Sequence, residues 1–249
     1  MEKYRAIFKS CHYKLIIAFF CCSIFFIGGC ASVQVKEMTF IKGGEQVSFD
    51  KGSVCLLSLK TDNRFKPEWP PEVYSIEIID NKSNKKTNIA VRSMSFGSLL
   101  KKSASDAFAV KKASSSWEGL ISFQLEPGSY QLSAIRGGCV RGIGVAVAMA
   151  TFDFPFDLPF QIYDKEYVYL GRIEMTNRER ISEDDIPSGS NLITQIPQRQ
   201  SGFGTGTFDV TVYDNYDQDI QSFKEKYHAI DDNKINKRIL PQWKKPDNY

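Results

Sequence analysis

The clearest hydrophobic pattern in this chain runs over residues 152–162. Phe152, Phe154, Phe156, Leu158, Phe160 and Ile162 alternate there with Asp153, Pro155, Asp157, Pro159 and Gln161. Strict period two puts six apolar side chains on one face of an extended strand, whereas a helix would scatter them around its circumference. Pro155 and Pro159 donate no ladder hydrogen bonds, so the strand is expected at a sheet edge with its apolar face in the core. Residues 53–59 form a shorter apolar run. Tyr74, Ile76 and Ile78 alternate with Ser75 and Glu77, and residues 87–92 return as a partner strand across a polar turn at 80–86.

Strands are also predicted over 117–125 and 130–135, joined by Glu126-Pro127-Gly128-Ser129. Pro presets φ for the first central turn position and Gly accepts positive φ at the second, so a type II turn is expected. Residues 163–174, with Tyr167-Val168-Tyr169-Leu170-Gly171, and the trio Phe208, Val210 and Val212 supply further strands. One helix face emerges late: Ile220, Phe223, Tyr227 and Ile230 follow helical spacing and predict a helix over 217–230. Asp217 caps its start, Asp219 sits in its first turn, and Lys224 and Lys226 lie toward its end, as the helix dipole favours.

Residues 181–206 lack periodicity and hold Pro187, Pro197 and four glycines, which predicts a long loop. Residues 93–116, rich in Ser, Ala and Lys, read as a loop containing a short helix. The pairs Lys101-Lys102 and Lys111-Lys112 read as a solvated face, with contact to anionic headgroups or cell wall as the alternative. The elements add up to a mainly β chain, an antiparallel β-sandwich over 45–249 with a C-terminal α-helix.

The Pro127-Gly128-x-Tyr130 segment resembles the start of a core strand in small β-sandwich modules of the transthyretin or carboxypeptidase-regulatory kind. With the Tyr-x-Tyr-Leu-Gly strand and the strand ending Val212-Tyr213-Asp214, it resembles envelope lipoproteins to which no reaction is assigned. That resemblance implies a fold and no activity.

The first 29 residues differ in kind. Lys3, Arg5, Lys9 and Lys14 face a single acid, Glu2, and residues 15–27 then run without a charge. This basic-then-apolar order is that of an export signal, and the run is shorter than the roughly 20 residues a helix needs to span a bilayer. It closes on Ile27-Gly28-Gly29-Cys30, which resembles the lipobox of bacterial lipoproteins. The resemblance implies that the Cys30 thiol is alkylated by a diacylglycerol, that a signal peptidase cuts before it, and that the freed amine is acylated. Several acyl chains, at about 0.8 kcal/mol per buried methylene, give an anchor that does not readily dissociate. Residues 30–44 then form a lipidated tether, and Ala31, where enteric-type retention signals carry Asp, leans toward the outer rather than the inner membrane. An ordinary secretory signal with a chance Cys, or a buried apolar helix, is the alternative.

Processing changes the composition. Of 32 basic and 29 acidic residues, four and one lie before Cys30, so the mature chain is neutral and has no global basicity to draw nucleic acid. Cys11, Cys21 and Cys22 leave with the signal, and Cys30 carries lipid. Cys55 and Cys139 remain, and an oxidising compartment allows them a disulfide; two unpaired core thiols are the equal alternative, since spacing cannot set their separation. Cys139 follows Gly137-Gly138, which reads as a bend.

Chemistry is scarce. His228 is the one mature histidine, and no Gly-x-Ser-x-Gly elbow accompanies it, so it reads as a surface residue. Cys55, Cys139 and His228 barely suffice for zinc and are not closely spaced. Gly142-Ile143-Gly144-Val145-Ala146-Val147 begins like a dinucleotide fingerprint but places Val147 where the third Gly belongs, and reads as a small-residue core strand. Asp214, Asp217 and Asp219, or Asp153 with Asp157, could contribute to calcium, but the first group lacks the Gly and Glu of an EF-hand. The expectation is therefore a non-catalytic envelope module without cofactor or metal, binding a protein or glycan. A wall-modifying hydrolase using carboxylates and a carrier of small apolar ligands are the rivals.

Overall fold

A computed structural model describes residues 49, 52–91, 116–143, 146–163, 165–189, 195–226 and 235–246. The protein is mainly β, with two sheets. Its elements are β1 (Ser53–Asn63), β2 (Glu72–Asp80), β3 (Lys85–Ala90), β4 (Ser116–Leu125), β5 (Gly128–Ile143), β6 (Ala146–Ile162) and β7 (Tyr167–Glu179). Helix α1 (Gln195–Gln200), β8 (Gly206–Tyr213), helix α2 (Tyr216–Lys226) and β9 (Ile235–Lys237) follow. One sheet has the order β4-β1-β7-β8, with β9 pairing β7 as well; the other has the order β3-β2-β5-β6.

The alternation over 152–162 does what period two requires. All six apolar side chains of β6 are buried, while Asp157, Pro159 and Gln161 are exposed. As its two prolines demand, β6 ends its sheet, pairing β5 along its length and adding only a single antiparallel bridge from Phe152 to Gly189. One apolar cluster draws on both sheets: Cys55, Leu57 and Leu59 of β1 meet Ile76 and Ile78 of β2 and the phenylalanines of β6.

Several expectations are corrected. The pairing is not wholly antiparallel, because β1 and β9 both run parallel to β7. No positive φ occurs at Gly128, so the turn at 126–129 is not type II. Gly128 already belongs to β5, paired with Ile162, and the Tyr130 hydroxyl ties the corner by donating to the Glu126 carbonyl at 2.8 Å. That corner carries the chain from one sheet to the other, since β4 pairs β1 and β5 pairs β2 and β6. Gly137 and Gly138 form no bend; they lie within β5, where a Cβ would strike the Phe152 ring or the Ala150 carbonyl. The segment 142–147 spans the end of β5 and the start of β6, a hairpin in place of one strand, with Gly144 and Val145 outside the described residues. The expected loop 181–206 contains α1 and buries Ile186, Ser188, Ser201 and Phe203.

Alternation breaks at Gly171. Leu56 pairs Tyr169 but Ser58 pairs Arg172, so one residue of β1 opposes two of β7. This is a bulge, and Gly171 takes φ +100°, which a side chain resists. Val168 and Leu170 before it, and Ile173 and Met175 after it, all join the main core. Tyr169 and Arg172 consequently share the opposite face.

Candidate functional site

Polar groups gather on the β3-β2-β5-β6 sheet around Glu77 and Arg136, which pair at 2.8 Å, and on two sides of the sheet that holds β7 and β8. The first of those two sides is the face of β1 and β7 turned from the main core. Helix α2 lays Ile220 and Phe223 against Val54, Leu56, Tyr167 and Tyr169. At its centre Asp219, 2% exposed, accepts from the Tyr169 hydroxyl at 2.6 Å, from Arg172 Nη1 at 2.8 Å and from Asn215 Nδ2 at 2.9 Å. Arg172 Nη2 donates to Glu118 at 2.5 Å, and its Nε lies 3.4 Å from Glu174. Burial works against the Arg172 charge, but Glu118 and Asp219 outweigh it and raise its pKa. Burial and the Asp219 hydrogen bond push the Tyr169 hydroxyl far above its usual range. Arg172 Nε makes no hydrogen bond, but the Asp219 carboxylate, the Tyr169 hydroxyl and both Arg172 terminal nitrogens are engaged by neighbours, and the arrangement fastens the helix to the sheet.

The second side is the free edge of β8. Both Val212 backbone groups turn away from β7: its N–H donates to Gln242 Oε1 at 3.5 Å, and its carbonyl accepts from Gln242 Nε2. In an antiparallel strand such outward groups recur every second residue, so Gly206, Phe208 and Val210 direct theirs the same way. The Ser188 N–H takes the Gly206 carbonyl at 2.9 Å. Phe208 and Val210 lie between these capped positions, and no described residue partners their outward groups.

A pocket of about 280 Å³ opens at that place, lined among others by Arg178, Asp184, Asp185, Val210, Trp243 and Lys245. Its far wall is the strap of residues 240–245 after β9. Trp243 packs against Phe154 and Phe156, with ring centroids 5.4 and 6.4 Å away, and its Nε1 donates to the Pro155 carbonyl at 3.2 Å. Lys245 Nζ donates to the Asp184 carbonyl at 2.8 Å. Along the rim Arg178 holds Asp185 through two bonds of 3.0 Å and Asp209 through one of 2.8 Å. The Arg178 guanidinium keeps the Asp185 carboxyl well below the ordinary range.

The residues singled out from sequence do not converge on either place. Cys30 and His228 lie outside the described residues, as do both lysine pairs. Cys55 and Cys139 are buried, free thiols and form no disulfide. Cys55 lies in β1 opposite Phe123 of β4 and Val168 of β7, whereas Cys139 lies in β5 of the other sheet, opposite Ala150 of β6. Burial pushes the Cys139 thiol up to about 12 and raises Cys55 further. Asp214 accepts from Lys237 at 3.0 Å, Asp153 from Arg136 at 3.1 Å and Asp157 from Gln131 at 2.6 Å. Among the described residues no three His, Cys, Asp or Glu are grouped to hold a metal ion. Arg172, Gln242 and Trp243 escape a reading of the sequence; an Arg directly after the strand glycine Gly171, and a Trp outside any period, are the available signals.

Comparison with protein-family models, curated proteins and solved structures finds no match.

Proposed function

We propose that this chain is a bacterial envelope lipoprotein, held to a membrane by acylated Cys30, whose mature part is a non-catalytic binding or accessory module. The observation that carries the reading is the order of basic residues, uncharged apolar run and Ile27-Gly28-Gly29-Cys30 ahead of a β-rich domain. The two sheets are the layers of a β-sandwich, supported by the single apolar cluster that draws on both. Ala31 favours the outer membrane.

Catalysis by carboxylates is the weaker reading. A general acid needs a raised pKa, and Glu77, Asp80, Glu174, Asp185 and Asp214 do not offer one: at each, burial pushes up but hydrogen-bonding and charged neighbours outweigh it and hold the carboxyl low. Carriage of an apolar ligand is weakened by rings that fill the region around β6: Phe208 packs against Phe152, Phe154 and Phe203, and Phe152 against Phe203, at centroid distances of 5.1 to 6.1 Å. The free edge of β8 supports binding, because unpaired strand groups are a template for another chain.

Intact-mass measurement tests the anchor. The wild-type chain begins at Cys30 with added acyl mass, and Cys30→Ser accumulates as an unprocessed, unacylated precursor. A mature chain that begins elsewhere or lacks acyl mass overturns the anchor. Release of soluble fragments from purified cell wall, abolished by changing a described acid, overturns the non-catalytic assignment.

A further inference from the structure

We propose that the edge of β8 is a peptide-binding groove, filled in cis by the chain's own C-terminal strap, and that its partner is an extended segment pairing an aromatic residue with basic ones. The proposal deepens the binding reading above and is independent of how the chain is anchored.

The strap is held in an unusual way for something lying along a strand. Leu240 N–H still reaches the Leu170 carbonyl at 2.9 Å, but beyond it no backbone–backbone hydrogen bond joins the strap to any described residue. Leu240 itself is buried in the main core, and beyond it three side chains do the holding: Gln242 on Val212, Trp243 on Pro155, and Lys245 on Asp184. Gln242 imitates a strand by giving Val212 one donor and one acceptor, and so keeps the strap backbone a side chain's length from β8. The pocket beside Phe208 and Val210 is the space this leaves. A partner strand in register with β8 would satisfy Phe208, Val210 and Val212 by main-chain bonds, as in strand addition to a sheet edge.

The seated strap also shows what the groove accepts. Trp243 covers Phe154 and Phe156, so a partner needs a large ring there. The rim carries Asp184, Asp185 and Asp209 against Arg178, and the strap sends Lys245 to it, so basic residues after the ring complement the charge. Pro155 and Pro159 keep the neighbouring β6 from competing with β8 for the incoming strand.

The probe is a fluorescent synthetic peptide with the sequence of residues 238–246, titrated into the full-length protein in detergent. Because the wild-type groove is open only when the strap is released, its apparent affinity falls by that open fraction. Trp243→Ala, which loosens the strap, is expected to bind the peptide at least about tenfold more tightly than wild type. Adding Val210→Pro, which removes an outward N–H at an edge that tolerates proline, abolishes that binding. Peptide binding that Val210→Pro leaves unchanged overturns the proposal, as does equal or absent binding by wild type and a folded Trp243→Ala. Should Trp243→Ala fail to fold, hydrogen exchange of wild type decides: slower exchange at Phe208 and Val210 under excess peptide supports the groove, and unchanged exchange rejects it. Self-association of Trp243→Ala without peptide makes a second copy the occupant and overturns the assigned partner. Loss of acylation at Cys30 leaves all these outcomes untouched, so the anchor and the groove fail separately.

Discussion

Helix α2 and the C-terminal strap each cover part of the sheet built from β1, β7 and β8, and opposite kinds of contact hold them. The helix brings Ile220 and Phe223 into an apolar cluster and locks it with a buried ion pair between Asp219 and Arg172. The strap is rooted by Leu240 in the main core, but beyond that residue it brings one half-buried ring, Trp243, and otherwise relies on polar side chains reaching backbone groups at the margin. Breaking a buried ion pair leaves a charge without water or partner, a cost that opposes any opening of α2. Releasing the strap beyond Leu240 exposes one ring and groups that water can satisfy. The first is therefore built to stay and the second can be displaced.

The largest expected effect comes from the helix side. Arg172→Met leaves Asp219 buried without its cation, which should cost about 3–5 kcal/mol in denaturant unfolding of the mature domain. A loss within a surface change of about 0.5 kcal/mol would mean that α2 is as dispensable as the strap, and the contrast would fail.

On the strap side the same measurement should read less. Trp243→Ala removes a ring that is only half-buried, so about 2 kcal/mol is expected, roughly half of a full core Trp or Phe truncation. A cost equal to that of Arg172→Met would make the strap an integral wall and remove the reason to regard it as displaceable.

The legibility of these regions in the sequence differs in the same sense. The alternation of β6, its edge position and the β2–β3 hairpin follow from period two, proline chemistry and a polar turn, all local. The clamp is hidden because Gly171 shifts the face of every later residue in β7, and period-two counting through it would place Arg172 inward. The parallel pairing of β1 with β7 depends on partners more than a hundred residues apart. The strap has no period at all, since Gln242 and Trp243 act through unlike contacts. Cys55 and Cys139 show the limit most plainly: the composition allows a disulfide and two core thiols equally, and only the folded arrangement of β1 and β5, which carries them as separate buried thiols, distinguishes the two. Alkylation of the denatured, unreduced mature domain should accordingly label both, while the folded protein, its thiolates suppressed by burial, should label neither at pH 8. A denatured chain with no free thiol would restore the disulfide.

The smallest effect sharpens the comparison most. Gln242 is exposed, and its amide bonds only Val212, so Gln242→Ala should cost about 1 kcal/mol, the net worth of a typical hydrogen bond. The informative reading is where the loss appears. The Val212 N–H points at Gln242 and at no strand, so its hydrogen exchange should quicken in the variant, while amides of α2 and of the β1–β7 ladder keep their wild-type protection. That pattern identifies local opening of the edge with the sheet intact. If Val212 exchange stays slow, the strap backbone itself shields the edge and Gln242 does not hold it off. If protection falls in α2 as well, the two coverings open together, and a strap that cannot open by itself cannot yield its place to a partner.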